Sequence, residues 1–120
     1  MINEIIKKPW GKEEIIEINK FYMVKKLTML KGHRCSLQYH EIKKETIFIL
    51  SGKLKIHVGK DLNHLSSKIY GPNDYISIDC GVLHRMEGVE DCVYIESSTP
   101  EIDDVIRVSD DYNRIKSNEL

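Results

Sequence analysis

Four residues in two short stretches carry side chains that bind metal ions. Gln38, His40 and Glu45 lie in SLQYHEIKKE, and His84 lies in GVLHRMEG. In a β-strand, residues i and i+2 project to the same face, so Gln38 and His40 could chelate one ion. Glu45 adds an anionic oxygen after a four-residue turn, and His84 adds a second imidazole. Two imidazole nitrogens and two oxygens suit divalent zinc, iron, manganese, cobalt or nickel, and they leave coordination positions open for substrate or water.

The elements that must position these residues are short β-strands. Runs of β-branched and aromatic residues recur along the chain, separated by turn signals such as Lys31-Gly32 and Ser51-Gly52. This rhythm indicates an antiparallel sandwich or barrel and argues against alternating strands and helices. We predict strands over 13–18, 22–30, 35–40, 46–50, 54–58, 68–70, 75–78, 83–87, 93–97 and 105–108.

Alternation within the strands predicts which side chains face the core. In 54–58, Leu54 and Ile56 share one face, and in 75–78 the inward pair is Ile76 and Ile78. The polar segment 60–67 is expected to be an exposed hairpin tip. The residues 110–120 are expected to form a flexible tail or a short helix.

Size and composition limit the class of protein. With 120 residues the chain is long enough for one domain with its own core, and its formal charge is −1. Balanced charge without a basic, aromatic-rich stripe argues against nucleic-acid binding. Three cysteines without a C-x-x-C pair indicate reduced thiols. Since no signal-peptide core and no apolar run of about 20 residues is present, we expect a cytoplasmic protein that does not enter the membrane.

The stretch from Gly32 to Gly52 resembles the first cupin motif. The spacing glycine, five residues, H-x-H, four residues, glutamate, six residues, glycine is matched throughout, with Gln38 in place of the first histidine. The stretch NDYISIDCGVLH resembles the second motif, with Gly81 and His84 in place and its usual glycine and proline changed. The resemblance implies an all-β, small single-domain cupin over 1–120, a double-stranded β-helix or jelly-roll barrel with the metal inside its mouth.

Glutamine in the first ligand position resembles the phosphomannose isomerases, whose metal set is Gln, His, Glu, His. The similarity is closest to the C-terminal cupin domain of bifunctional mannose-6-phosphate isomerase/mannose-1-phosphate guanylyltransferases, and it covers most of the chain. Near the start, the chain has KPWGKEE where that domain opens with R-P-W-G, and its SLQYH resembles the domain's S-L-Q-M-H. Around the second histidine, the chain has GVLHRMEG where the domain has G-V-x-H-R-L-E-N. Near the end, IDDVIRVSDDYNR resembles the domain's closing E-D-D-I-V-R-x-x-D-x-Y-G-R. The glycine-rich nucleotide loop of the guanylyltransferase half is absent, so we expect a free-standing cupin.

The resemblance implies a metal-dependent aldose–ketose isomerase that acts on a sugar phosphate of the mannose-6-phosphate/fructose-6-phosphate type through an enediol. Three further residues are candidates for catalysis. Arg34 would share the metal face by strand alternation and hold the phosphate, or it would be a rim arginine paired with a carboxylate. Lys43 lies in the turn between two ligands, and it either reaches the mouth or is exposed. Glu96, in an otherwise apolar strand, would transfer protons or form a structural ion pair.

The sequence also departs from this family. Where the family reads H-H-H-R-x-E-H-W from its metal histidine, the changed residues here are Glu41, Ile42, Lys43, Thr46 and Ile47. These changes keep open a non-catalytic sugar-binding or regulatory cupin, a cupin acting on a nucleotide-linked sugar, and another cupin enzyme such as an oxygenase or epimerase. In each case the expected partner is a sugar or sugar phosphate. A homodimer is expected because exposed sheet edges need cover.

Overall fold

The computed structural model describes residues 4–115, which form eleven β-strands and contain no helix. The strands are β1 Glu4–Lys8, β2 Gly11–Ile18, β3 Met23–Met29, β4 Leu37–Tyr39, β5 Glu45–Ser51, β6 Leu54–Gly59, β7 Leu65–Tyr70, β8 Tyr75–Ile78, β9 Leu83–Gly88, β10 Cys92–Ser98 and β11 Ile106–Ser109. Accordingly, this part of the chain offers no helix that is long and apolar enough to cross a membrane.

The strands form two antiparallel sheets. The first has six strands in the order β1-β2-β3-β10-β5-β8, and the second has five in the order β11-β4-β9-β6-β7. The two sheets share one apolar core, to which β5 contributes Ile47 and Ile49 and β6 contributes Leu54 and Ile56, all at most 1% exposed. Each such side chain contributes roughly 1.5–3 kcal/mol by leaving water. The all-β prediction is confirmed, as is the predicted inward face of 54–58.

Inward-facing polar residues continue the apolar rows of two central strands. In β5 the buried positions are Glu45, Ile47 and Ile49, and in β10 they include Tyr94 and Glu96. The pairing of Ile47 with Glu96 places the two carboxylate-bearing ends of these strands side by side. The period of two that builds the core therefore also directs charged side chains into the interior between the sheets.

The ten predicted strands correspond to β2 through β11, but the details differ in three places. The strand β1 was not predicted, because EIIKK is mostly exposed at a sheet edge and lacks an alternating pattern. The predicted hairpin tip at 60–67 is shorter, because its last part belongs to the exposed edge strand β7. The predicted strand 35–40 is regular only over Leu37–Tyr39.

The predicted tail is partly described. Arg114 donates hydrogen bonds to both carboxylate oxygens of Asp110, at 2.9 Å each, and Arg114 also lines the central cavity. The remaining positions, 116–120, lie outside the described residues.

Candidate metal centre

Three buried side chains converge on one point inside the protein. The Nε2 atoms of His40 and His84 lie 2.9 Å and 3.1 Å from Oε1 of Glu45. One ligand atom from each residue lies within 4.8 Å of the other two, and the side chains are at most 3% exposed. This is the geometry of a site that can hold one metal ion.

The three residues come from separate parts of the chain. His40 follows β4, Glu45 begins β5, and His84 is the second residue of β9. The backbone N–H of Gly81 donates to the carbonyl oxygen of His40 at 2.7 Å and so joins the two sequence stretches directly. Gly81 has φ of 81°, a left-handed conformation that glycine adopts without strain.

Gln38 lies beside this cluster. It is the register partner of His84 across β4 and β9, and it lines the same cavity. Its Oε1 accepts a hydrogen bond of 2.5 Å from Oγ of the buried Ser36. One lone pair of the amide oxygen is thereby used, and the second remains for a cation.

Hydrogen bonds on the far side of each ring set the tautomers. Nδ1 of His40 bonds the carbonyl oxygen of Asp104 at 2.5 Å, and Nδ1 of His84 bonds that of Val82 at 3.0 Å. Because a carbonyl oxygen only accepts, each Nδ1 carries a proton, and each ring turns its Nε2 toward Glu45. Two imidazole nitrogens at 2.9 Å and 3.1 Å from one carboxylate oxygen are a donor set that fits a divalent metal ion.

Without a metal, a proton takes the place of that cation. Burial lowers the pKa of His84, but the Glu45 carboxylate outweighs burial and raises this pKa above its usual value. Burial likewise opposes ionisation of Glu45, yet the hydrogen bonds from His40 and His84 hold its pKa well below the usual range. Metal and protons must therefore compete for the site.

The cluster opens into a cavity of about 240 Å³. Two ion pairs lie in its wall: Lys43 Nζ to Glu96 Oε2 at 2.9 Å, and Lys25 Nζ to Glu13 Oε1 at 3.2 Å. The lining also contains Trp10. A pocket with a ligand cluster, paired charges and apolar walls is suited to a small polar substrate.

Two of the three candidate catalytic residues meet in this cavity. Lys43 and Glu96 are 5% and 7% exposed and form the 2.9 Å ion pair. Burial and the negative charge of Glu45 raise the pKa of Glu96 despite its partner. Burial opposes the Lys43 ammonium, but the carboxylates of Glu96 and Glu45 outweigh it and raise the pKa of Lys43.

The third candidate lies elsewhere. Arg34 donates to both oxygens of Asp111, at 2.6 Å and 2.9 Å, and its side chain is 40% exposed at the surface. The expected alternation does not hold because the regular strand begins only at Leu37, and Cys35 takes the place in the cavity wall. The alternative of a rim arginine paired with a carboxylate matches this placement.

A different arginine, to which the sequence assigned only a place in the closing motif, also lines the cavity. Arg107 of β11 is the register partner of Gln38 and lines the cavity. Its Nε is buried and, among the residues 4–115, has no hydrogen-bond partner. The closing motif IRVSDDYNR contained this residue, but no local spacing indicated that β11 lies beside the ligand strand.

The sequence comparisons agree on one family. The model of the family described as mannose-6-phosphate isomerase C-terminal matches residues 2–110. A mannose-1-phosphate guanylyltransferase of Escherichia coli (strain K12) is 30% identical over 119 residues, covering 95% of this chain and 24% of the relative. The xanthan biosynthesis protein XanB of Xanthomonas campestris pv. campestris (strain ATCC 33913) is 29% identical over 112 residues, covering 89% and 23%. The chain thus spans about a quarter of the length of these relatives.

Solved structures match the fold at low sequence identity. KdgF from Halomonas sp. has a TM-score of 0.73 at 15% identity, covering 83% of this chain and 90% of that one. CapF from Staphylococcus aureus has a TM-score of 0.76 at 18% identity, covering 88% and 34%. Lactobacillus farciminis oxalate decarboxylase has a TM-score of 0.74 at 17% identity, covering 88% and 33%. These likenesses confirm the predicted cupin fold.

Proposed function

Because the chain belongs to the family of mannose-6-phosphate isomerase C-terminal domains, we propose that it is a metal-dependent aldose–ketose isomerase of a phosphorylated monosaccharide. Mannose 6-phosphate and fructose 6-phosphate are the substrates to test first. The observation that carries the proposal is the convergence of His40, Glu45 and His84 in a cavity that also contains a buried ion pair.

The four residues that would hold the metal are Gln38, His40, Glu45 and His84. A divalent ion bound there supplies Lewis-acid polarisation of the substrate's carbonyl and hydroxyl oxygens. The chain keeps the ligand atoms aimed inward through the Nδ1 hydrogen bonds of the two histidines and the Ser36 hydroxyl on Gln38. Preorganised ligands of this kind need no rearrangement when the ion enters.

Proton transfer is assigned to Glu96, and Lys43 is assigned the role of its ion-pair partner. Isomerisation moves a proton between two adjacent carbons, and this requires a base within reach of both. Glu96 lines the cavity, and its raised pKa improves it as a proton acceptor that later returns the proton. Lys43, 2.9 Å away, would keep the carboxylate oriented and place positive charge beside the reacting oxygens.

The substrate phosphate would be held by Arg107. Its Nε has no partner among the described residues, so the guanidinium is not committed to a protein carboxylate there. A planar fork of N–H donors suits phosphate oxygens. Lys25, by contrast, is already bound to Glu13.

The size of the cavity favours a monosaccharide. About 240 Å³ is smaller than the roughly 300–1,000 Å³ typical of sites for drug-sized molecules. A nucleotide-linked sugar is a ligand of that larger size, so the alternative that the chain acts on such a sugar is disfavoured.

The departures from the family motif mostly avoid the cavity. Of the five changed positions, only Lys43 is part of its lining. Ile42 is 66% exposed, and Ile47 is fully buried in the apolar core. This distribution favours retained catalysis over the second candidate, a non-catalytic sugar-binding or regulatory cupin.

The decisive experiment follows the substrate carbons directly. Metal-loaded protein is incubated in deuterated water with a panel of phosphorylated and free aldoses and ketoses, and C1 and C2 are followed by proton NMR. We expect interconversion and metal-dependent deuterium incorporation at C2 with a hexose 6-phosphate. A His40→Ala/His84→Ala variant is the control without metal, and Glu96→Gln is the control that should keep metal but lose exchange. If the protein binds metal but no sugar of the panel is interconverted or exchanges deuterium, the result would favour a non-catalytic sugar-binding cupin.

We also propose that the protein is a homodimer. Within residues 4–115 both sheets end in strands that have a neighbour on one side only: β1 and β8 in the first sheet, β11 and β7 in the second. Unpaired strand edges attract further pairing unless they are covered. Sedimentation equilibrium of the full chain distinguishes a monomer from a dimer. A monomer at all concentrations would contradict the proposal of a homodimer.

A further inference from the structure

The second ion pair in the wall of the central cavity has no part in the proposed proton transfer or phosphate binding. Nζ of Lys25 lies 3.2 Å from Oε1 of Glu13, and both residues line the cavity. Lys25 is only 6% exposed, although lysine is rarely buried. A buried ion pair is weak evidence for a contribution to stability, because loss of hydration offsets much of the attraction between the charges. A role of this pair in binding the substrate is therefore worth testing.

The order of the strands places this pair next to the proposed base. Four adjacent strands, β5, β10, β3 and β2, each direct a charged side chain into the cavity, namely Glu45, Glu96, Lys25 and Glu13. Lys25 is the register partner of Glu96, so their Cβ atoms lie about 4.5–5.5 Å apart. None of the residues of β8, which pairs with β5 on its other side, lines the cavity. A sugar whose C1 and C2 lie between the metal centre and Glu96 therefore extends toward Lys25 and Glu13.

The pair has hydrogen-bonding capacity that the protein does not use. An ammonium group has three N–H donors, and within residues 4–115 Lys25 donates one side-chain hydrogen bond, to Glu13. In the same part of the chain Oε2 of Glu13 accepts no hydrogen bond, since Nζ of Lys8 is 3.9 Å away. This oxygen is not one of the buried atoms that lack a partner, so it is accessible to solvent.

The charges of the pair favour a neutral hydroxyl group over a phosphate. A phosphate bound to Lys25 would lie beside the Glu13 carboxylate, and the two negative charges would repel each other. A sugar hydroxyl can accept from Nζ of Lys25 and also donate to Oε2 of Glu13. The pair is thus suited to the part of the substrate that carries hydroxyl groups.

We propose that Lys25 and Glu13 bind a hydroxyl group on C3 or C4 of the sugar and so determine which monosaccharide the cavity accepts. Hydrogen bonds to charged groups are stronger than those between neutral groups. A site built to bond a hydroxyl group also rejects a sugar that lacks it, because the polar groups of the site would then lose their partner. The substrate class, a phosphorylated monosaccharide, comes from the proposed function, on which this role depends.

Binding to the pair can be measured without turnover. Mannitol 6-phosphate has the carbon chain of mannose 6-phosphate but no carbonyl group, so it cannot be isomerised. Isothermal titration calorimetry of the metal-loaded full chain compares it with its 3-deoxy and 4-deoxy analogues. For the wild type, we expect that loss of one of these hydroxyl groups weakens binding about tenfold or more.

Two variants and a matched control identify the residues responsible. Lys25→Met should bind mannitol 6-phosphate about tenfold more weakly and should no longer distinguish it from the discriminated analogue. Lys25→Met/Glu13→Leu should behave in the same way, and it leaves neither charge of the pair buried alone if the single variant proves unstable. Lys26→Met should keep both the affinity and the discrimination, because the next residue of β3 projects to the opposite face and lies outside the cavity lining. Thermal unfolding verifies that each variant is folded.

Three outcomes would overturn the proposal. The first is that the wild type does not bind mannitol 6-phosphate. The second is equal affinity of the wild type for all three compounds. The third is discrimination that persists in both Lys25 variants, as expected for a merely structural ion pair. Failure of the isomerase proposal would look different: the wild type would bind and discriminate through Lys25, but no sugar would be isomerised.

Discussion

Nδ1 of His40 donates a hydrogen bond to the backbone carbonyl oxygen of Asp104, 64 residues further along the chain. The carboxylate of Asp104 also accepts the backbone N–H groups of Glu41, Ile42 and Lys43, at 3.0, 2.8 and 2.9 Å. One residue thus orients His40 and also holds the turn that leads to Glu45. The segment before β11 is therefore part of the candidate metal centre although it contributes none of the proposed ligands.

Replacing Asp104 should damage both stability and metal binding. Asp104→Ala removes an acceptor of three backbone N–H groups, and we expect the free energy of unfolding to fall by about 1–2 kcal/mol, as for the loss of a helix N-cap. Metal affinity should fall about tenfold or more, as for other groups that orient ligands. Urea unfolding and calorimetric metal titration measure the two effects. Asp103→Ala, at an exposed neighbour, is the control and should change neither.

Loss of one imidazole should abolish stoichiometric metal binding. His84→Ala leaves one imidazole, one carboxylate and the neutral amide oxygen of Gln38, and we expect this weaker donor set to lose the ion during gel filtration. Gln38→Ala should weaken binding less, because a neutral amide oxygen contributes less than an imidazole or a carboxylate. The amount of metal that remains bound to each variant after gel filtration measures these losses. The control is His57→Ala, which removes a histidine that is bonded to Glu87 outside the cluster, and an equal loss there would refute the assignment.

The buried ion pair between Lys43 and Glu96 should behave as a unit. Removing one partner leaves a charge buried alone, so Lys43→Met should cost roughly 3–5 kcal/mol of unfolding free energy. The double variant Lys43→Met/Glu96→Leu should cost clearly less than the sum of the single variants, because no unpaired charge remains. Urea unfolding of the wild type, the two single variants and the double variant completes this double-mutant cycle. Additive costs would show that the 2.9 Å contact carries no coupling.

The cysteines should differ sharply in reactivity. Burial raises the pKa of Cys35 and of Cys92 to about 11, so both remain protonated at pH 8. Cys80 is partly exposed. Since the thiolate is the reactive form, iodoacetamide at pH 8 should modify Cys80 first and the other two only after unfolding. Peptide mass spectrometry identifies the sites, and early modification of Cys35 would contradict the buried assignment.

Acid should remove the contribution that ionised Asp110 makes to the free energy of unfolding. The hydrogen bond from Arg114 holds the pKa of Asp110 below its usual value of 3.8 in the folded protein. The resulting stabilisation, about 1 kcal/mol for a pair of this kind, is complete above the unfolded-state pKa and is lost as pH falls through the folded-state pKa. Asp110→Asn should therefore be less stable near pH 7, with a difference that narrows in acid. Urea unfolding across this range measures it, and a constant difference would argue against the pair.

The local order of residue types along the chain was enough to predict which side chains of some strands face the core and which residues could bind a metal ion. Alternation in strands such as 54–58 predicted their inward face, because the period of two is a property of each strand by itself. The spacing of Gln38, His40, Glu45 and His84 was enough to propose a ligand set, since those residues lie near strand ends within two short stretches. The structure brings His40, Glu45 and His84 together.

Pairing between strands that are distant in sequence decided which charged side chains lie beside the candidate ligands. Strand alternation predicted Arg34 on the metal face, but the chain is not a regular strand at that residue, and Asp111 from far along the sequence binds its guanidinium. Arg107 enters the cavity because β11 pairs with β4, and Asp104 supports His40 because the segment before β11 packs there. Sequence alone predicted ten of the eleven strands in the described part of the chain, the inward face of 54–58 and the residues proposed as ligands. Only the tertiary structure decided which charges meet the ligands, because those contacts depend on long-range pairing that no local pattern encodes.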